Sequence, residues 1–124
     1  MKRFSGAILL AALIDASSAY AQEGTWSNVR ITSITVYTSE QFGPSGLMYI
    51  YFSEASSGTP SCANTNPTIA VIDLTSAGGA IAASLAQSIM LAGGGGGLVT
   101  AFGVGNCNFV PGIETLGKLT LVGS

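Results

Sequence analysis

Histidine is absent from the 124-residue chain, charged residues make up only 8%, and cysteine occurs twice. Without histidine there is no Ser-His-Asp triad, no Cys-His pair and none of the commonest metal ligand. Two cysteines outside a C-x-x-C arrangement make neither a dithiol redox centre nor a four-ligand zinc site. Beyond residue 21 the only bases are Arg30 and Lys118, set against Glu23, Glu40, Glu54, Asp73 and Glu114. So few cations exclude a nucleic-acid surface, whose phosphates need a basic patch, and do not suit docking to anionic lipid. Glu40, Glu54, Asp73 and Glu114 show no local pairing of the kind glycosidase chemistry uses, and isolated carboxylates in a small domain are expected as solvated surface groups. The chain therefore reads as non-enzymatic and without a cofactor. Asp73, between an apolar strand and a helix, is expected to serve as a cap or turn acceptor.

The first residues follow the export pattern. Lys2 and Arg3 form a basic start, residues 4–14 a mostly apolar run, and Ala19-Tyr20-Ala21 an A-x-A cleavage site that leaves Gln22 as the new N-terminus. Asp15, Ser17 and Ser18 end the run short of the roughly 20 residues a bilayer core requires. Residues 80–92 form the other apolar stretch, which is also too short and runs into glycines, so no membrane insertion is expected after processing. The expectation is a signal peptide over 1–21 and one domain over 22–124, located in the periplasm or outside the cell. In that oxidising setting Cys62 and Cys107 read as a disulfide, closing a loop of about 45 residues worth roughly 4 kcal/mol in chain entropy.

Residues 28–38 are β-branched enough for a strand, but their alternation changes phase. Val29 and Ile31 share one face, and Ile34 and Val36 join them only if a residue near Ser33 is bulged out. After a Gly- and Pro-bearing turn at 41–46, residues 47–53 read as a second strand, forming a hairpin with the first. Tyr49 and Tyr51 fall on one side of it, and Met48, Ile50 and Phe52 on the other. A loop carrying Cys62 leads to a short strand at 68–74 that should be buried on both faces. Thr75-Ser76 can cap a helix over 80–92, in which Ile81, Leu85 and Ile89 recur at helical spacing and should face the core. Gly93 to Gly97 should end that helix, and as a phosphate loop the run lacks its feeding strand, following helix and lysine. Residues 98–105 and 114–122 complete the order β-β-β-α-β-β.

Trp26, Tyr37, Tyr49 and Tyr51 are the candidate ligand-binding residues. Aromatic rings can stack on sugars without charge, although the same residues also serve as cross-strand packing.

This order, with a disulfide from the loop before strand three to the end of strand four, resembles the oligomer-forming B subunits of AB5 toxins. The chain is also similar to small exported proteins of Gram-negative bacteria. The matching features are Trp26, Ile31 and Ile34, Cys62, the strand Ile69-Ala70-Val71-Ile72-Asp73, the Ala- and Leu-rich helix at 80–92, and Cys107. The resemblance implies a mainly β (α+β) fold, an OB-like five-stranded barrel with a helix between strands three and four. It also implies a module that binds a glycan or a secreted or envelope partner protein and can form a ring of identical subunits. Where a cation would follow the helix, this chain has glycines, and no receptor contact of the toxin subunits maps onto its residues. The competing expectation is a structural or interaction protein of the cell envelope with no small-molecule ligand.

Overall fold

A computed structural model describes residues 22–41, 45–91 and 97–122. The expected signal peptide over 1–21, the centre of the turn at 41–46 and most of the glycine run at 93–97 lie outside the described residues.

The chain is mainly β. Strands β1 (Thr25–Val29), β2 (Ile31–Tyr37), β3 (Leu47–Phe52), β4 (Ile69–Asp73), β5 (Val99–Gly103) and β6 (Glu114–Leu121) form one mixed sheet, and helix α1 (Ala77–Leu91) lies between β4 and β5. The sheet order is β1-β5-β6-β4-β3-β2, with β4 and β6 parallel and every other pair antiparallel.

Two expectations need correction here. There are six strands rather than five, because the first long strand breaks at Arg30, just after Asn28 takes a left-handed φ of 52° and the β1–β5 register shifts. Nor is the sheet closed into a barrel: β1 and β2 stand at its two ends, and no ladder joins them among the described residues. The strand break has a further result, since β1 and β2 are consecutive in the chain and one residue, Arg30, crosses from one end of the sheet to the other.

The phase change has its expected outcome at Ile34 but not at Val36, which is 41% exposed and does not pack on the core. The β2–β3 register slips between Ile31 and Ser33, so Ile31 is buried and Ile34 packs beside it against the same core. That core takes Trp26 and Val29 from β1, Met48, Ile50 and Phe52 from β3, Ala70 and Ile72 from β4, and Val99 and Ala101 from β5. Removing an Ile or Met side chain of this kind from water contributes about 1.5–3 kcal/mol. The rings of Trp26 and Phe52 stand 4.8 Å apart, so a residue of one end strand packs on a neighbour of the other and the sheet wraps around its contents.

Helix α1 starts at Ala77, three residues before the expected start, because Ser76 caps it. Its Oγ accepts the Gly79 N–H at 2.9 Å and its hydroxyl donates to the Asp73 carbonyl at 3.0 Å. Ala83, Ala86 and Ile89 are buried, with Ala82, Leu85 and Met90 partly so. Ile81, expected on the core side, is 71% exposed. It sits two residues before Ala83, about 200° around the helix, and the small alanines rather than the isoleucine set the buried stripe. Among the described residues no helix is long and apolar enough to cross a membrane.

Cys62, in a 3-10 turn over Ser61–Ala63, is bonded to Cys107, with their Cα atoms 6.2 Å apart. The bond ties the loop between β3 and β4 to the segment after β5.

Candidate functional site

Alternation along β3 sends Met48, Ile50 and Phe52 to the main core and Leu47, Tyr49 and Tyr51 to the other face. Because β2 pairs Tyr37 with Leu47 and β4 pairs Val71 with Tyr49 and Ile69 with Tyr51, all of these side chains meet in a second cluster. Val110 and Ile113 close it from the turn before β6, where Gly112 adopts a φ of 88° and the Ile113 N–H donates to the Val110 carbonyl.

The sequence reasoning singled out four aromatics, and the fold brings three of them together. Tyr37 and Tyr49 meet edge to face with ring centroids 4.9 Å apart. Tyr49 is the anchor, only 9% exposed, while Tyr37 and Tyr51 are half-buried on either side of it. Burial, and then the neighbouring phenols of Tyr37 and Tyr51, hold the Tyr49 hydroxyl above the usual tyrosine range. Trp26 does not join this face. It is a core residue, stacked on Phe52, and its indole N–H donates to the Pro67 carbonyl at 2.8 Å.

Asp73 takes the turn-acceptor role. Its Oδ1 accepts both the hydroxyl of Thr75 at 2.6 Å and the Thr75 N–H at 3.0 Å, and these bonds lower its pKa, the hydroxyl most and then the backbone N–H. Glu40 and Glu54 are exposed.

Glu114 overturns the expectation of a solvated carboxylate, being 0% exposed. The N–H groups of Gly24 and Gly105 both donate to its Oε2, each at 2.9 Å, while Oε1 has no partner among the described residues. A Cβ on either Gly24 or Gly103 would overlap the carboxylate. A lone buried carboxylate is costly, and its two backbone bonds offset part of that cost. Sealed from solvent, Glu114 ties together the backbone at Gly24 and Gly105. The sequence carried one signal for it, Gly103 inside β5, because an isolated glycine within a strand marks close approach.

The expected mature N-terminus, Gln22, lines a polar cleft with Ser61, Asn106 and Asn108 beside the disulfide. Among the described residues no three His, Cys, Asp or Glu side chains gather as a metal site would require. No protein-family model, curated protein or solved structure matches the chain.

Proposed function

We propose that this chain is an exported, non-enzymatic binding module that recognises a glycan, or a similarly uncharged polar surface of a partner, through the face bearing Tyr37, Tyr49 and Tyr51. The observation that carries the reading is the gathering of these three tyrosines on the side of the sheet away from the main core. Phenol rings give stacking area and hydroxyl hydrogen bonds without charge, which suits a chain this poor in ionisable groups.

We further read the sheet as a partly open OB-like barrel. If β1 and β2 are counted as one strand bent at Arg30, five strands remain, with the helix between the third and fourth and a single parallel pairing between the third and fifth. OB folds bind oligosaccharides and oligonucleotides on the face of strands two and three, flanked by the loops after strands one and four. In this counting Tyr49, Tyr51, Ile69 and Val71 belong to that face, and Val110 and Ile113 to the second of those loops. That correspondence supports recognition there, and the scarcity of cations favours glycan over nucleic acid.

The test is a glycan array probed with wild type and with the Tyr37→Ala and Tyr51→Ala variants, alongside their thermal melts. Loss of glycan signal in variants that remain folded at the assay temperature supports a recognition face. A silent wild type, or variants that are unfolded at the assay temperature when binding is lost, returns the tyrosines to packing. Export is tested separately: the mass of material recovered from the periplasm or medium should correspond to a chain beginning at Gln22.

The second reading, an envelope interaction protein without a small-molecule ligand, draws on Leu91 and Leu121, large apolar side chains left exposed. A glycan array that stays silent with the folded wild type favours it, whereas a multiple of the chain mass in light scattering fits either reading.

A further inference from the structure

We propose that β2 is a docking edge for a second copy of this chain, the two β2 strands pairing antiparallel about a two-fold axis at Thr35. The pairing does not depend on what the tyrosine face binds.

The two ends of the sheet are finished differently. β1 is covered at Thr25, whose N–H and C=O both bond to Ser57, and it is distorted at Asn28, where φ is 52°. Outside β2 no strand lies among the described residues. Its seven residues, Ile31–Tyr37, hold no charge and no proline, two devices that commonly keep an edge strand from pairing. Its one irregularity is the slip between Ile31 and Ser33, which leaves Ser33 to Tyr37 in unbroken register with β3. A ring needs two different complementary surfaces, whereas a single open edge that meets its own copy closes by a two-fold.

The hydrogen bonds of β3 show which groups of β2 are available. The Phe52 N–H donates to the Thr68 carbonyl, on the side of β4, and the next N–H, of Ser53, donates to the Arg30 carbonyl, on the side of β2. By alternation Leu47, Tyr49 and Tyr51 turn their backbone groups to β2, and the residues opposite them, Tyr37, Thr35 and Ser33, turn theirs to β3. The N–H and C=O groups of Ile34 and Val36 therefore point outward. An axis at Thr35, the middle of the unbroken stretch, sets Ile34 of each copy opposite Val36 of the other, and both pairs exchange backbone bonds. Val36 is 41% exposed, lying beyond the core that Ile34 joins, and Ile34 of the second copy covers it. Charge selects the same direction. Arg30 precedes β2 and Glu40 follows it, so antiparallel pairing brings unlike charges toward each other at both ends, whereas parallel pairing would set like beside like.

The experiment is light scattering of the disulfide-bonded protein over rising concentration, with cysteine cross-linking to read the register. Wild type should reach the mass of two chains. Val36→Lys, a charge at an exposed edge position, should weaken association at least about tenfold while remaining folded by circular dichroism. Ser27→Lys, at an exposed position on β1, should dimerise as wild type does. Thr35→Cys should give a linked dimer on a non-reducing gel, because two Cα atoms about 4.5 Å apart across the axis are within disulfide reach. Ser33→Cys, which faces Tyr37 of the second copy, should not. The proposal is overturned by a single-chain mass for wild type up to about 1 mM, or by an assembly of more than two chains. It is also overturned by Val36→Lys dimerising as wild type does, or by Ser33→Cys linking as readily as Thr35→Cys. If Val36→Lys does not fold, the two cysteine variants carry the test, and a Thr35→Cys protein that stays unlinked overturns the proposal.

Discussion

The two halves of the sheet are held by different means. In β2, β3 and β4, side chains make the contacts: the registers of β3 run without a slip along β4, both faces are packed, and the one slip, between Ile31 and Ser33, keeps Ile34 against the main core. In β1, β5 and β6, backbone and glycine do much of that work. Registers slip between Trp26 and Val29 and again between Phe102 and Gly103, and the buried Glu114 carboxylate binds two glycine N–H groups in a space that side chains would fill. A period-2 pattern is informative where a face is buried by side chains, and it loses its meaning where the neighbour is main chain.

The largest expected effect comes from cutting the covalent link between these halves. Replacing Cys62 and Cys107 together by Ala should cost roughly 4 kcal/mol in urea unfolding. A much smaller loss would mean that the halves hold each other without the disulfide.

Next is Gly103→Ala, whose Cβ would overlap the Glu114 carboxylate and push it off the N–H groups of Gly24 and Gly105. The expected loss is about 3 kcal/mol, measured the same way. A loss below about 0.5 kcal/mol, ordinary for a surface change, would show that the carboxylate has room to move and would remove the contrast between the halves.

On the side-chain half, Tyr51→Ala should cost only about 1 kcal/mol, because one half-buried cross-strand ring is lost and no polar group is stranded. A loss as large as that of Gly103→Ala would make Tyr51 a packing residue of the first rank and weaken its candidacy for ligand contact.

The smallest effects are those of pH. Tyr49 has a pKa raised above 10.0, so the fold favours its neutral form: the stabilisation is complete below pH 10 and is lost as pH rises through the folded value. Ultraviolet titration should show one tyrosine ionising later than the others, and Tyr37→Phe should bring it closer to them. Asp73 runs the opposite way. Its pKa is lowered below 3.8, so its contribution is present above about pH 4 and is lost as pH falls through the folded value. The group lies in solvent, so Asp73→Asn should flatten the acid limb of a stability profile only slightly.

Much of this architecture can be read from local signals. The bulge near Ser33 follows from the phase of Ile31 against Ile34, the inward and outward sets of β3 from simple alternation, and the burial of β4 from its run of Ala70, Val71 and Ile72. The helix is legible from its Ser76 cap, but its buried side is not. Ala83 and Ala86 carry little hydrophobic signal, so a count of large residues turned the helix toward Ile81. Of the candidate site, the tyrosines of β3 share a face by period alone. Tyr37 reaches them through strand pairing, and Val110 and Ile113 through a turn far along the chain, just before β6. Trp26 illustrates the limit of residue type as a guide, since an amphipathic ring serves a core as well as a ligand, and the Pro67 carbonyl that satisfies its N–H lies 41 residues away.

By itself the sequence determined the chemistry that is out of reach without histidine, the identity of the one pair of thiols, and the local periods that make strands and a capped helix. These depend on composition and near neighbours, which the chain carries in any conformation. Only the tertiary structure decided that β1 and β2 separate at Arg30 to opposite ends of one sheet, that β4 meets β6 in parallel for just two pairs, and that Glu114 is sealed beneath three glycines. Each of these is a contact between distant segments whose closeness depends on how the whole sheet curls. No window of neighbouring residues encodes that geometry.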